Sequence, residues 1–337
     1  MKHKLITISL LVALHISPFT YSADFDKGVF AYIQGDYQQA YKIFRPLAED
    51  GNSYAQANLG FMYSNSLGVA HNDAEAYRWL RAAAEQGSAN AQFNLGIMYR
   101  EGRGVVQNYI EAVRWYRTAA EQDFAEAQHT LGIMYDQGAG VPQNYVEAVR
   151  WYRAAAENSI PQAQLNLGNM YLHGIGVPQN YAEAFRWYLA AAEQDFVLAQ
   201  YNLGFMYDQG HGGPQNYAEA ARWYRAAAEQ GSANAQFHLA VLYDQGKGVI
   251  QNYQEAARWY LAAADQGNAK AQFNISLMYA RGESLPKDYV MAHMWANISS
   301  SQGFDEAAKL KDLLAQLMTP SQIQEAQKHA KEWVNRR

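Results

Sequence analysis

A nine-residue phrase, AQFNLGIMY from Ala91 to Tyr99, returns as AQHTLGIMY at Ala127, AQLNLGNMY at Ala163 and AQYNLGFMY at Ala199. Its glutamine keeps a 36-residue spacing through Gln56, Gln92, Gln128, Gln164, Gln200, Gln236 and Gln272, with no insertion. Tyr63 and Trp79 open two further series in the same register, ending at Tyr279 and Trp295. A strict internal period of this length marks a repeat array, in which each unit buries its apolar face on the next. Seven copies in one register make residues 52–303 a single array and not two unrelated domains.

Each copy has room for two helices. In the second copy, Ala91, Leu95, Met98 and Tyr99 fall at helical spacing within residues 89–100. Gly102 and Gly104 follow in a loop, and a second helix opens at Asn108 and reaches about Gln122. Asn108 with Glu111 predicts a capping box, each side chain satisfying an amide of the first turn. The pair recurs from Asn72/Glu75 to Asn252/Glu255, while Asp288 and Met291 keep only half of it. Second helices end at Gly87, Gly231 and Gly267, where a left-handed residue closes a helix. Asp123 and Asp195 stand there in other copies and are expected to close it less well. Gly96, Gly132 and alanine runs such as 154–156 let helix backbones approach, while Trp, Tyr and Met fill the core between units. With eight prolines in 337 residues and no alternating apolar pattern, the chain reads as all-α.

Residues 1–23 are of another kind. Lys2 and Lys4 precede an apolar run from Leu5 to Ile16, followed by Ser17-Pro18 and small residues to Ala23. This is the layout of a secretory signal peptide, with an uncleaved anchor as the alternative. The run is short for a bilayer span, and none is expected after cleavage, placed after Ser22 or Ala23. The chain has no cysteine, so neither a lipid-bearing cysteine nor a disulfide framework is available. The formal charge of −5, which loss of Lys2 and Lys4 takes to about −7, gives no electrostatic attraction to nucleic acid or anionic lipid. The expected location is the periplasm, with extracellular release as the alternative.

The pattern A-x-x-x-LG-x-MY-x-x-G-x-GV-x-x-(N/D)Y-x-EA-x-x-WY-x-x-AA-(E/D)-QG resembles the Sel1-like repeat, a relative of the tetratricopeptide repeat, over residues 52–303. Residues 24–51, with Gly35-Asp36-Tyr37-Gln38-Gln39-Ala40, look like a tetratricopeptide-type unit. Residues 304–337 predict two capping helices, the second opened by Thr319-Pro320-Ser321-Gln322 as N-cap, first-turn proline and capping-box glutamine. The resemblance implies a right-handed α-α superhelical solenoid acting as a scaffold or adaptor for a partner protein or peptide. Bacterial members are associated with envelope processes, signalling and host-cell interaction, so a secreted virulence factor is one alternative. Some cysteine-rich relatives were linked to β-lactams, which makes binding or hydrolysis of β-lactams or cell-wall fragments another. Those relatives carry a disulfide in each unit, and this chain departs from them.

A catalytic reading needs a constellation of groups. Ser284-Leu285-Pro286-Lys287 matches the S-x-x-K pattern of penicillin-recognising serine enzymes, but a proline interrupts it and neither S-D-N nor K-T-G occurs. Of the nine histidines, His3 and His15 lie in the N-terminal segment, His71, His173 and His211 in predicted loops, and His129, His238 and His293 at different repeat positions; none shows metal-ligand spacing, so no metal is expected. No glycine loop follows a strand, and no cofactor is expected. The recurring Glu111–Arg114 pair reads as a helix-surface contact. The chain is expected to be non-catalytic.

In the related tetratricopeptide units the first helix lines the concave surface. Carrying that over points five positions per copy inward, in the second copy Asn90, Phe93, Ile97, Arg100 and Glu101. These vary along the chain while their neighbours repeat. Candidate groove residues are therefore Asn90, Phe93, Ile97, Arg100, Glu126, His129, Asp136, Leu165, Asn169, Tyr201, Phe205, Asp208, Phe237 and Asp244. Aromatic side chains beside polar ones suit a protein-binding surface. The competing expectation is that the second and third positions pack between neighbouring helices and vary because packing there is loose.

Overall fold

The computed structural model describes residues 23–336. The signal-peptide expectation therefore lies outside the described residues, apart from Ala23. Among the described residues there are eighteen helices and no strand. A short pair, α1 (Ala23–Ile33) and α2 (Tyr37–Glu49), precedes the array. First helices α3 (Ser53–Asn65), α5 (Ala89–Glu101), α7 (Ala125–Gln137), α9 (Pro161–His173), α11 (Val197–Gln209), α13 (Ala233–Gln245) and α15 (Ala269–Arg281) follow. They alternate with second helices α4 (Asp73–Glu85), α6 (Tyr109–Ala120), α8 (Tyr145–Glu157), α10 (Tyr181–Ala192), α12 (Tyr217–Glu229), α14 (Tyr253–Asp265) and α16 (Tyr289–Ser301). Helices α17 (Asp305–Ala315) and α18 (Pro320–Asn335) close the chain. Two compact units result, one running to Ala163 and taking in Ile175–Val177, the other made of Gln164–Gly174 and Pro178 onward.

The second helices begin differently from the sequence expectation. Asn108 does accept from the amides of Ile110 and Glu111, at 3.0 and 3.2 Å. Its own N–H, however, donates to the Tyr99 carbonyl at 2.8 Å. That backbone bond closes the loop and leaves nothing for Glu111 to cap, so Glu111 pairs with Arg114 instead, at 3.4 Å. The full reciprocal box forms at Thr319 and Gln322. Asp123 and Asp195 take left-handed φ of 59°. Each also offers its carboxylate to a buried glutamine, Gln128 at 3.4 Å and Gln200 at 3.3 Å, a bond that glycine cannot make.

Packing explains most of the repeated letters. Ala91, Leu95 and Met98 are buried. Gly132 allows α7 to cross α8, since a Cβ there would lie 2.6 Å from the ring of Tyr152. Gly96, Gly168 and Gly204 stand in the same relation to Tyr116, Tyr188 and Tyr224. In the first copy Leu80 replaces the tyrosine against Gly60. The recurring glutamine is a clip between copies. Gln92 donates to the Ala84 carbonyl of the preceding second helix at 3.1 Å and accepts from Gln122 at 2.7 Å. Such buried polar side chains are tolerable because both ends of the amide are satisfied.

The second loop glycine is equally constrained. A Cβ on Gly104 (φ 66°) would meet the carbonyl oxygen of Asp73 at 2.1 Å. Ser284 stands at this position in the seventh copy, with φ 58°. Its hydroxyl donates to the Tyr253 carbonyl at 2.9 Å. At the C-terminal end α18 buries Ala326 and Ala330, and Trp333 meets Trp295 edge-on, 5.6 Å between ring centroids.

Candidate functional site

The variable side chains of the first helices do not share one environment. Phe93, Ile97 and Leu165 are only 6%, 7% and 9% exposed, so they belong to the core and not to an open groove. The Phe93 ring lies 5.6 Å from Tyr116 and 5.3 Å from Phe124, which leads into the next first helix. Packing between neighbouring copies therefore takes these three positions. Asn90, Arg100, Glu126, His129, Asp136, Asn169, Tyr201, Phe205, Asp208, Phe237 and Asp244 are half-buried. Burial pushes the His129 imidazole down to about 4.

Several half-buried residues share a task that the sequence reading missed. Tyrosines of the second helices pass beneath the first-helix glycines and end at the variable positions. Tyr152 donates to Asp136 at 3.1 Å, Tyr188 to Asn169 at 2.6 Å and Tyr224 to Asp208 at 3.4 Å. Tyr260 directs its hydroxyl at Asp244 and Asn274. Where the fourth position is Leu172 and accepts nothing, Asn169 at the third position takes over. That exchange is the signal the sequence carried for this role.

In the second unit the candidates come together. Tyr201 and Tyr224 are 5.9 Å apart by ring centroid, and Tyr224 stacks on His238 at 5.1 Å. The Tyr201 hydroxyl is 3.5 Å from Nε2 of His238, and Phe237 meets His238 edge-on at 5.2 Å. Burial lowers the His238 imidazole against the opposing pull of Asp208. Burial, then the charge of Glu283, raises the Asp244 carboxyl. His238 was absent from the sequence expectation because only the fold brings it to Tyr201. In the first unit Asn90 accepts from Asn94 at 2.7 Å, and Arg100 pairs with Glu101 at 2.8 Å. The arrangement offers stacking faces and hydrogen-bonding groups, which suits recognition. Among the described residues no group of three or more potential ligands could hold a metal ion, and no helix is long and apolar enough to cross a membrane.

The family model described as Sel1 repeat matches residues 25–52, 53–88, 89–124, 125–159, 161–196, 197–232, 233–268 and 269–304. The chain belongs to the Sel1 repeat family. The first match shows that the helix pair before Asn52, tetratricopeptide-like in sequence, is recognised as a Sel1 repeat too. Among solved structures, one similar to it is a protective antigen present in uropathogenic Escherichia coli strains displaying an SLR fold. It is 29% identical, with 93% of this chain and 83% of that one covered at a TM-score of 0.63. A Sel1 repeat protein from Oxalobacter formigenes is 35% identical, with coverages of 72% and 97% and a TM-score of 0.62. Among curated proteins, none matches. Sel1 repeats generally mediate protein–protein interaction.

Proposed function

We propose that this chain is an exported, non-catalytic scaffold of the bacterial envelope that holds a partner protein or peptide on its first-helix faces. The observation that carries the reading is the cluster Tyr201, Phe205, Asp208, Phe237, His238 and Asp244, half-buried and held by fixed tyrosines. Side chains ordered in advance lose less entropy on binding. Aromatic anchors beside polar groups are the usual source of interface energy. Export is supported by the basic, apolar and small-residue order of Lys2 to Ala23. Periplasmic residence is the first expectation. Release to act on host molecules is the second reading, favoured by the likeness to a protective antigen.

The test is photo-crosslinking in cells from residues 201 and 237, with the exposed position of Arg114 as control, followed by fractionation of cells and medium. We expect a discrete adduct from the first two positions and none from the third. Equal labelling from all three would contradict the assignment. Turnover of a chromogenic β-lactam that Ser284→Ala abolishes would overturn the non-catalytic reading.

A further inference from the structure

Five second helices carry a tyrosine that ends beneath the first-helix face, and four of them have an acceptor supplied by the chain. Tyr116 is the fifth. Its hydroxyl is buried and has no hydrogen-bond partner. The three sources used elsewhere are each closed to it. The fourth position, Asp136 or Asp208 in other copies, is here Arg100, which can only donate. The third position, Asn169 for Tyr188, is here Ile97. Thr130 stands where Asn202 and Asn274 serve Tyr188 and Tyr260, and it makes no bond to Tyr116. A buried donor left unmade is costly, and such groups in a native protein call for an explanation.

The neighbouring charge indicates what is missing. Arg100 is the one cation among the seven fourth positions, which run Ser64, Arg100, Asp136, Leu172, Asp208, Asp244 and Ala280. Among the described residues its guanidinium pairs with the adjacent Glu101 alone, at 2.8 Å in a half-buried contact. Copy two thus places a fork of donors and a free hydroxyl where copies three, five and six place a carboxylate.

Building on the reading of these faces as protein-binding surfaces, we propose that Arg100 and Tyr116 receive the carboxylate of an aspartate or glutamate side chain from a partner peptide. The guanidinium takes it bidentately, and the tyrosine hydroxyl donates to it as Tyr152 does to Asp136. Glu101 occupies Arg100 until the partner displaces it, and Arg100 and Tyr116 are close enough to feel each other's charge, so one carboxylate can serve both once the side chains over the buried hydroxyl give way.

The test pans phage-displayed random dodecapeptides on the chain from residue 24, wild type and Arg100→Asp, and measures affinities of synthetic copies of the winners. We expect winners to share an acidic residue. Affinity should fall about tenfold or more when that residue becomes its amide or when Arg100→Asp is used. Amidating the peptide C-terminus should change nothing. Arg100→Asp should not lower the urea midpoint, because the substituted aspartate gives Tyr116 its acceptor, so lost binding is not lost folding. Winners that bind Arg100→Asp as well as wild type overturn this assignment and leave the scaffold reading standing. Loss on C-terminal amidation also overturns it, by placing the carboxylate at a chain end. If no peptide is enriched on the wild-type chain, both fall.

Discussion

The second and third copies lie side by side in the first unit, share their glycine, tyrosine and glutamine frame, and differ in what they do with it. In the third, Gly132 admits Tyr152, and Asp136 accepts its hydroxyl. In the second, Gly96 admits Tyr116 in the same way, but Arg100 stands at the accepting position and the hydroxyl ends unpaired. The frame sets stacking geometry, and the fourth position decides whether that geometry is satisfied from within. A position that varies in a repeat array is therefore not automatically a contact for a partner. Asp136 and Asp208 are partly tied up by a tyrosine of the frame, whereas Arg100 meets only the adjacent Glu101.

The largest way to break this comparison is to remove the clearance that both copies share. Gly132→Val puts a branched side chain into the ring of Tyr152, and we expect a loss of about 3 kcal/mol by urea unfolding. The same change at the exposed Gly87, where a Cβ meets nothing, strains only a left-handed residue and should cost less.

A second effect is set by pH. His129 has its pKa lowered from 6.5 to about 4, so it contributes stability that is present above pH 6.5 and lost as pH falls toward 4. With partial exposure allowed for, the loss is about 2 kcal/mol. Thermal unfolding from pH 7 to 4 should show the decline, and His129→Gln should flatten it. A His129→Gln profile as steep as wild type would assign the decline to other groups.

A smaller effect sharpens the contrast directly. Arg100→Asp converts the second copy to the pattern of the third and should raise stability by about 1 kcal/mol, one net hydrogen bond. Differential scanning calorimetry reads this as an increased Tm. A fall in Tm would mean that the substituted aspartate does not reach Tyr116.

Much of this was legible in the sequence. The 36-residue period gave the helix pairs, the paired loop glycines and the Trp and Tyr core, because stacking imposes the same demands on every copy. Phe93, Ile97 and Leu165 were misjudged as open because sequence spacing gives the helix face and not the depth of the neighbouring copy behind it. The expected Asn108–Glu111 box failed for a related reason. The Tyr99 carbonyl that takes the Asn108 amide belongs to the preceding helix, and its approach is a property of the loop. The tyrosine acceptors were visible only as an exchange between Leu172 and Asn169, which has meaning once Tyr188 is known to pass between them.

The central claim is that the same tyrosine is satisfied in the third copy and unsatisfied in the second. Urea unfolding of Tyr152→Phe and Tyr116→Phe, side by side in the full chain, tests it most directly. We expect Tyr152→Phe to lower stability by about 1–2 kcal/mol, since it strips Asp136 of a partner, and Tyr116→Phe to change it by less than about 0.5 kcal/mol or to raise it. Equal losses for the two substitutions would contradict the claim.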